Sequence, residues 1–299
     1  RGVTSICPTT MTLPEERLAP IVASVAAHEA SAGEAGIVGI NMEGPYIAPD
    51  KVGAQNPAYV RSASIEEFGR LQQQAMGLIK LVDVAPEQPG NLEFIRQMSH
   101  DVRVSVAHTC TSYDDACAAF DAGARHMTHL FNAMPALHHR EPGPIAAGAE
   151  RNDVTAEIIA DGVHLPKSLL QLVYKLKGAD RTCLITDSMR AAGMPEGESI
   201  LGSKKDGMLV VVEDGVAKLP DRSAFAGSVA TADRCVRTMH RLGEVPLADA
   251  VKMMTLTPAR VMGIADRKGS IEVGKDADLL IFNADVEMQR VILAGESLF

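Results

Sequence analysis

The chain has 299 residues, of which 46% are hydrophobic, and its formal net charge is −9. This length and composition suit a packed enzyme with one large domain and a small one. The excess of acidic residues argues against a nucleic-acid surface, which needs basic patches. No apolar run approaches the roughly 18 residues of a membrane span, and no secretory signal peptide is recognisable.

The cysteines indicate the cellular compartment. An odd number without a C-x-x-C pair is typical of free thiols in a reducing cytosol. We therefore expect a cytoplasmic protein whose cysteines are small, buried apolar residues. The five are Cys7, Cys110, Cys117, Cys183 and Cys235.

Apolar strand-like runs alternate along the chain with segments of helical periodicity. The runs are rich in Val, Ile, Leu and Ala, as are strands that are buried on both faces. Such alternation predicts parallel strands that are connected by crossover helices. Seven candidate strands precede Asp187: Gly2–Pro8, Gly36–Met42, Ile79–Ala85, Arg103–Ala107, His126–Leu130, Thr155–Ala160 and Thr182–Thr186.

Capping residues predict where three of the helices begin. Thr12 and Ser64 each stand three residues before a glutamate, the spacing of a capping box, in which hydroxyl and carboxylate satisfy free backbone amides. Ser112 can cap a helix over residues 113–122, and Gly123 suits the end of that helix.

Polar residues at the ends of the strands distinguish a barrel from an open sheet. In a doubly wound open sheet, which is the competing architecture, functional groups gather near one switch point. In a (β/α)8 barrel of the TIM type, they follow strand after strand at the C-terminal ends. We predict the barrel, with its first strand missing from this chain, because the acidic residues and histidines follow at least five runs: Glu43, His108, His129, Asp161 with His164, and Asp187.

The pattern changes after Asp187. Met208–Glu213, Asp214-Gly215 and Val216–Leu219 predict a β-hairpin, and two helices follow at about 231–242 and 247–254. The tail alternates between apolar and polar residues and is interrupted by turns. We predict a barrel over residues 1–203 and 224–265, and a small β-sandwich domain over 204–223 and 266–299, with the N-terminal part of the β-domain absent.

Glu43, His108 and His129 are candidate metal ligands. A hydrogen-bonded core residue is the alternative for each alone, but three such residues at equivalent strand ends are hard to obtain by chance. One carboxylate and two imidazoles suit Zn²⁺, our first expectation, or Fe²⁺, with an open position for water. One metal site can be assembled from these ligands.

Asp187 is the candidate general base. It follows the apolar run Cys183–Thr186, where a carboxylate can also cap a helix. Beside a metal site, it could take a proton from water and return it to a leaving amine.

The segment from His129 to Gly143 predicts the substrate site. Asn132 offers both a donor and an acceptor to a polar substrate, and Arg140 suits bidentate contact with phosphate. His138 and His139 add local positive charge, although a solvated loop is the alternative. His164 is a further candidate for a substrate contact, a ligand or a structural role.

With these residues and this order of strands, the sequence resembles the N-acetylglucosamine-6-phosphate deacetylases of the amidohydrolase superfamily. The resemblance covers essentially the whole chain, and the block from His129 to Gly143 is its most specific part. The matching stretches are Gly39–Pro45, Gly53–Pro57, Ala107–Thr109, Thr128–Met134, Arg140–Gly143, Ala160–His164 and Ile185–Asp187.

The resemblance implies a role for each site residue. Glu43, His108 and His129 would bind the metal, and Asp187 would be the general base and acid. Asn132, Ala133 and His164 would contact the sugar, whereas Arg140 would bind the 6-phosphate and can reach into the neighbouring subunit of a homodimer. The reaction would release acetate and glucosamine 6-phosphate in amino-sugar catabolism.

Two departures from the family pattern bear on the site. Gln55 stands where the family commonly has His beside the acyl group; it can donate a hydrogen bond to the substrate but cannot carry a proton. The superfamily's H-x-H pair on the first strand is absent from this chain, which starts at Arg1. We therefore expect a longer native protein, in which such a pair would permit a second metal.

Two other functions are compatible with the pattern. One is another amidohydrolase activity, of the adenine deaminase or dihydroorotase type, against which Asn132 and Arg140 argue. The other is a sugar-phosphate sensor without turnover, against which the intact set of ligands and Asp187 argues.

Overall fold

The computed structural model describes residues 1–298. Contacts between Cα atoms divide this part of the chain into two compact units. The N-terminal unit consists of residues 4–156 and 261–264, and the C-terminal unit consists of residues 1–3, 157–260 and 265–298. The boundary between these two units does not coincide with the predicted boundary between a barrel and a β-domain. The predicted division into those two domains stays a prediction.

The N-terminal unit contains parallel strands that alternate with helices. In chain order its elements are β1 (Ser5–Ile6), α1 (Glu15–Ala26), β2 (Gly36–Ile37), β3 (Ile40–Met42), α2 (Ile65–Gln74), β4 (Ile79–Val84), α3 (Asn91–Met98), β5 (Arg103–Val106), α4 (Tyr113–Asp121), β6 (His126–Met127), α5 (Gly143–Ala149) and the start of β7 (Thr155–Ile159). Short 3-10 helices lie at Pro49–Lys51 and Pro57–Tyr59.

All strand pairs of this unit are parallel. Strand β3 pairs with β4, β4 with β5, β5 with β6, and β6 with the first residues of β7. On the other side, β1 pairs with β2, and a parallel bridge joins Thr9 to Asn41. The C-terminal ends of all these strands therefore point in one direction, which brings the residues that follow them together.

The C-terminal unit combines the rest of β7 with helices and antiparallel strands. Its further elements are α6 (Lys167–Lys177), β8 (Thr182–Ile185), β9 (Gly197–Leu201), β10 (Met208–Glu213), β11 (Val216–Lys218), β12 (Phe225–Ser228), α7 (Ala232–Arg241), α8 (Leu247–Met254), α9 (Leu256–Val261), β13 (Leu279–Phe282), β14 (Met288–Leu293) and β15 (Glu296–Ser297). Strands β9–β12 form one antiparallel sheet, and β13–β15 form another.

Most of the predicted elements are found. The predicted hairpin is the antiparallel pair β10 and β11. Ser64 accepts a hydrogen bond from Glu67 N, and Ser112 accepts one from Asp115 N, so both cap their helices. The cap at Thr12 was wrong: helix α1 begins at Glu15, after Pro14, without a side-chain cap.

Within residues 1–298, no helix is long and apolar enough to span a lipid bilayer.

Candidate active site

Three buried side chains converge beyond the ends of neighbouring strands in the N-terminal unit. Glu43 directly follows β3, and His108 and His129 each stand two residues after the end of β5 and β6. One ligand atom from each of the three lies within 4.8 Å of the others. The structure thus brings together the three residues that the sequence proposed as metal ligands.

Both histidines leave their strands through unusual backbone conformations. His108 has φ +44° and His129 has φ +32°, in the left-handed region that L-residues rarely adopt. Strain of this kind persists where the surrounding structure fixes it, and it clusters at functional sites. Here Ala48 N donates to His108 O at 2.8 Å, and Thr109 N donates to Ala133 O at 3.0 Å. These bonds fix the turn that directs His108 toward Glu43.

The hydrogen bonds of His108 define which of its nitrogens can bind a cation. Its Nδ1 lies 2.6 Å from Lys51 O, and a carbonyl oxygen can only accept, so Nδ1 carries the hydrogen. In the neutral ring, Nε2 is therefore an acceptor. This atom faces Glu43 Oε1 at 3.1 Å and His129 Nε2 at 3.0 Å. A cation at this point would interact favourably with the carboxylate of Glu43 and with the lone pair of His108 Nε2.

The dimensions of this cluster fit a small divalent cation. In tetrahedral zinc sites the ligand bonds are about 2.0–2.1 Å long, so neighbouring ligand atoms lie about 3.3 Å apart. Two of the three separations, 3.0 and 3.1 Å, are close to that value. All three ligand atoms lie within 4.8 Å of one another, so a bound cation would draw the ligands closer together.

The electrostatics of the cluster also favour a positive charge. Burial raises the pKa of Glu43, but the hydrogen bond and charge of His108, with the charge of His129, outweigh this and lower the pKa to about 2. Burial lowers the pKa of His108, yet its hydrogen bond with Glu43 and the charge of Glu43 leave the pKa raised. Both shifts reflect the attraction between the Glu43 carboxylate and positive charge on the neighbouring imidazoles.

Gln55 holds Glu43 in place. Its side-chain nitrogen donates to Glu43 Oε1 at 2.7 Å, and its side-chain oxygen accepts from Thr12 N at 2.8 Å. The amide is thus oriented from both ends, and it is buried. The predicted contact of Gln55 with a substrate stays a prediction, whereas its contact with the carboxylate is present in the structure.

Gly44 allows this arrangement to pack closely. The residue has φ +71°, and a Cβ added there would lie 2.0 Å from Thr12 Oγ1. A side chain at this position would therefore displace Thr12, whose backbone N–H orients Gln55.

Three of the predicted substrate-site residues lie on the segment that follows His129. The side-chain nitrogen of Asn132 donates to His129 O at 3.2 Å. Ala133 has φ +52°, and its carbonyl accepts from Thr109, next to His108. Arg140 is exposed, as are His138 and His139. Asn132 and Ala133 are thus hydrogen-bonded to the turns that contain His129 and His108, whereas Arg140 is exposed to solvent.

A second polar cluster occupies the C-terminal unit. His164 Nδ1 lies 2.7 Å from Asp161 Oδ2, and Asp161 Oδ1 accepts from His164 N at 2.8 Å. Burial raises the pKa of Asp161, but the hydrogen bond and charge of His164 outweigh this and lower it. Ser228 Oγ donates to Asp161 Oδ2 at 3.3 Å, and Ser228 N donates to Asp187 O at 2.8 Å. Ser228 thereby links Asp161 and His164 to Asp187.

Asp187 is fixed by its backbone. It has φ +46°, follows β8, and is bridged in parallel to β12 through Ser188 and Ser228. Gly227 makes room for it, since a Cβ there would lie 3.1 Å from Asp187 O. The structure thus holds Asp187 at a strand end, as the sequence predicted.

Sequence reasoning missed residues that act through their neighbours. The carbonyl of Lys51 and the amide of Thr12 carry no signal in the sequence, because any residue supplies these groups. Asp83 is different: it is a fully buried carboxylate inside the apolar strand β4, and this could have been noticed.

Comparison with known proteins places the chain in a family. The amidohydrolase family model matches residues 1–298. The chain belongs to the amidohydrolase family. Over its whole length it is 37% identical to N-acetylglucosamine-6-phosphate deacetylase from Bacillus subtilis, covering 75% of that protein. It is also 34% identical to N-acetylgalactosamine-6-phosphate deacetylase from Escherichia coli O157:H7, with 99% of the chain matching 77% of that protein. The resemblance that the motifs predicted is confirmed.

Solved structures confirm the predicted fold class, an α/β barrel of the TIM type with a small β-domain. An aspartate-to-alanine variant of N-acetyl-D-glucosamine-6-phosphate deacetylase from Mycobacterium smegmatis, in complex with N-acetyl-D-glucosamine-6-phosphate, matches with a TM-score of 0.91 at 35% identity, over 98% of this chain and 76% of that one. The deacetylase from Thermotoga maritima matches with a TM-score of 0.90 at 30% identity, over 100% of this chain and 79% of that one.

Proposed function

We propose that this amidohydrolase removes the acetyl group from N-acetylglucosamine 6-phosphate, giving acetate and glucosamine 6-phosphate. The convergence of Glu43, His108 and His129 at the strand ends is the observation that carries the proposal. A sensor without turnover would have no need to retain this cluster. The deacetylases of Bacillus subtilis and Mycobacterium smegmatis, each matched along nearly the whole chain, support the choice of reaction.

The cluster is assigned as the site of one divalent metal. Two imidazole nitrogens and a carboxylate oxygen suit zinc best, with iron as the alternative. Bound there, such a metal supplies a Lewis acid that polarises the amide carbonyl and lowers the pKa of the attacking water. Gln55 keeps the carboxylate of Glu43 oriented, and the Lys51 carbonyl keeps the tautomer of His108 that offers Nε2.

Asp187 moves the proton. Its carboxylate takes a proton from the water that attacks the acetyl carbon, and later gives it to the sugar nitrogen as the C–N bond breaks. The products are acetate and a free amine, so no other reactant is needed. Asn132, Ala133 and His164 contact the sugar in this proposal, and Gln55 remains a candidate contact for the acetyl group.

Arg140 binds the 6-phosphate. A guanidinium offers a planar pair of donors that matches phosphate oxygens, and the exposed position of Arg140 is compatible with a phosphate on the neighbouring subunit of a homodimer. The cytosol, where phosphorylated sugars and free thiols both occur, is the proposed location.

The decisive experiment is an assay of acetate release by metal-loaded protein. We expect release from N-acetylglucosamine 6-phosphate and much slower release from unphosphorylated N-acetylglucosamine. Binding of the phosphosugar without release would favour a sensor. Activity only on nucleobases or cyclic amides would favour another amidohydrolase activity.

N-Acetylgalactosamine 6-phosphate is the second candidate substrate, because the Escherichia coli relative named for it is nearly as similar. The two sugars differ only in configuration at C4. A ratio of kcat/KM values for the two phosphosugars decides between them, and the same protein preparation serves for both measurements.

A further inference from the structure

Asp83 is a buried carboxylate that sequence analysis did not assign to any role. It is fully buried on β4, between apolar neighbours on a strand of the N-terminal unit. A carboxylate in such a place costs free energy unless hydrogen bonds and nearby charge compensate for its lost hydration. The groups that compensate for the burial of Asp83 therefore indicate which part of the structure it stabilises.

A chain of hydrogen bonds ends at this carboxylate. Thr128 Oγ1 donates to Asp83 Oδ1 at 2.6 Å. Since the hydroxyl proton of Thr128 is used there, Ser105 Oγ must be the donor in its 2.7 Å contact with Thr128 Oγ1. Asn41 Nδ2 approaches Asp83 Oδ2 at 3.5 Å. All four side chains are buried.

Asn41, Ser105 and Thr128, which are connected to Asp83 by these contacts, each lie on a segment that carries a proposed metal ligand. Asn41 stands two residues before Glu43, Ser105 three residues before His108, and Thr128 directly before His129. A single carboxylate is thus connected to all three segments, whose ligands lie far apart in the sequence. Loss of that carboxylate would loosen the three segments together.

The charge of Asp83 acts in the same direction. Asp83, like Glu43, is a buried carboxylate of the N-terminal unit. A buried carboxylate that is connected by hydrogen bonds to all three segments stabilises positive charge at the ligand cluster. With Glu43, it supplies two negative charges, which balance a divalent cation that is bound by two neutral imidazoles.

We propose that Asp83 is a positioning residue of the metal centre, a counter-charge that does not ligate the metal and that holds the three ligand-bearing segments through Asn41, Ser105 and Thr128. The inference rests on the proposed metal-dependent function. Residues that support metal ligands in this way typically contribute a factor of about 10–100 to metal affinity.

Asp83→Asn tests this role. The carboxamide keeps the size of the side chain and an acceptor for Thr128, but removes the charge. We expect the dissociation constant for Zn²⁺, measured on metal-free protein by competition with a chromophoric chelator, to rise about 10–100-fold. With Co²⁺ as the probe, the visible spectrum of the variant should report an altered ligand geometry.

Glu67→Gln is the matched control. Glu67 is also a buried carboxylate of this unit, but its partner is Arg61, at 2.6 Å. This substitution should reduce stability and leave the affinity for Zn²⁺ within twofold. If Asp83→Asn also leaves the affinity within twofold, Asp83 is merely structural and the inference is wrong, while the proposed function stands. If the wild-type protein binds no metal, both fail.

A second pair of variants applies if Asp83→Asn does not fold. Thr128→Val removes the donor to Asp83 at nearly constant volume, whereas Thr128→Ser keeps it. We expect weaker Zn²⁺ binding only for the valine variant. Equal affinities for the two variants would overturn the inference.

Discussion

Single substitutions can distinguish the proposed role of Asp187 from that of the proposed metal ligands. Asp187→Asn keeps the shape of the side chain and removes its capacity to accept a proton. We expect kcat to fall by about 10²–10⁴-fold, the usual contribution of a general acid–base group. The metal content, measured by elemental analysis, should stay at the wild-type value, because the proposed ligands are other residues.

His108→Ala is the comparison for this variant, since it should lose both the metal and activity. Substantial turnover by the Asp187→Asn protein would remove Asp187 from the role of general base. Loss of metal from it would instead make Asp187 a ligand.

The convergence of the three proposed ligands was predictable from the sequence, but the hydrogen bonds that orient them were not. Glu43, His108 and His129 each follow an apolar run, and the shared direction of parallel strands is enough to bring them together. Gln55 orients Glu43 through the backbone amide of Thr12, 43 residues away. No local pattern encodes such a contact, because every residue but proline has that amide.

At the scale of an element, helices α1 and α2 show how well the capping-box spacing predicts where a helix begins. Ser64 accepts from Glu67 N, as the spacing predicted, but the Glu67 carboxylate binds Arg61. Thr12 has the same spacing to Glu15, yet α1 begins later and the Thr12 amide serves Gln55. A tertiary contact at the site thus prevails over a local capping preference.

Ser64→Ala should therefore affect stability and not function. Removing the cap leaves the backbone amide of Glu67 without its acceptor, which costs about 1 kcal/mol in the free energy of unfolding. We expect a lower urea midpoint together with unchanged kcat/KM. Ser64→Asp, which preserves an acceptor at the N-cap, should retain most of the stability. A large fall in kcat/KM for the alanine variant would show that α2 is coupled to the site.

The strand–helix alternation was also predictable, because buried parallel strands require nearly continuous apolar runs. The predicted strands generally extend one to three residues beyond the observed ones. His126–Leu130, for example, pairs only over His126–Met127. His129 adopts φ +32°, so the strand ends before the apolar part of the sequence does.

At the scale of the molecule, metal binding should stabilise the unit that holds its ligands. Glu43, His108 and His129 come from three segments of the N-terminal unit, and a metal that binds only when they are assembled favours the folded state. At a free metal concentration of about 1,000 times Kd, this adds about 4 kcal/mol. We therefore expect metal removal to lower the unfolding temperature and abolish turnover, with both restored by Zn²⁺.

Hydrogen exchange can locate this stabilisation. Metal removal should speed exchange in β3, β5 and β6, which lead to the ligands, because their local opening no longer has to release a bound cation. The matched control is His129→Gln, whose exchange should respond little to the chelator. If the chelator leaves both the unfolding temperature and the exchange of these strands unchanged in the wild-type protein, the cluster does not hold a metal.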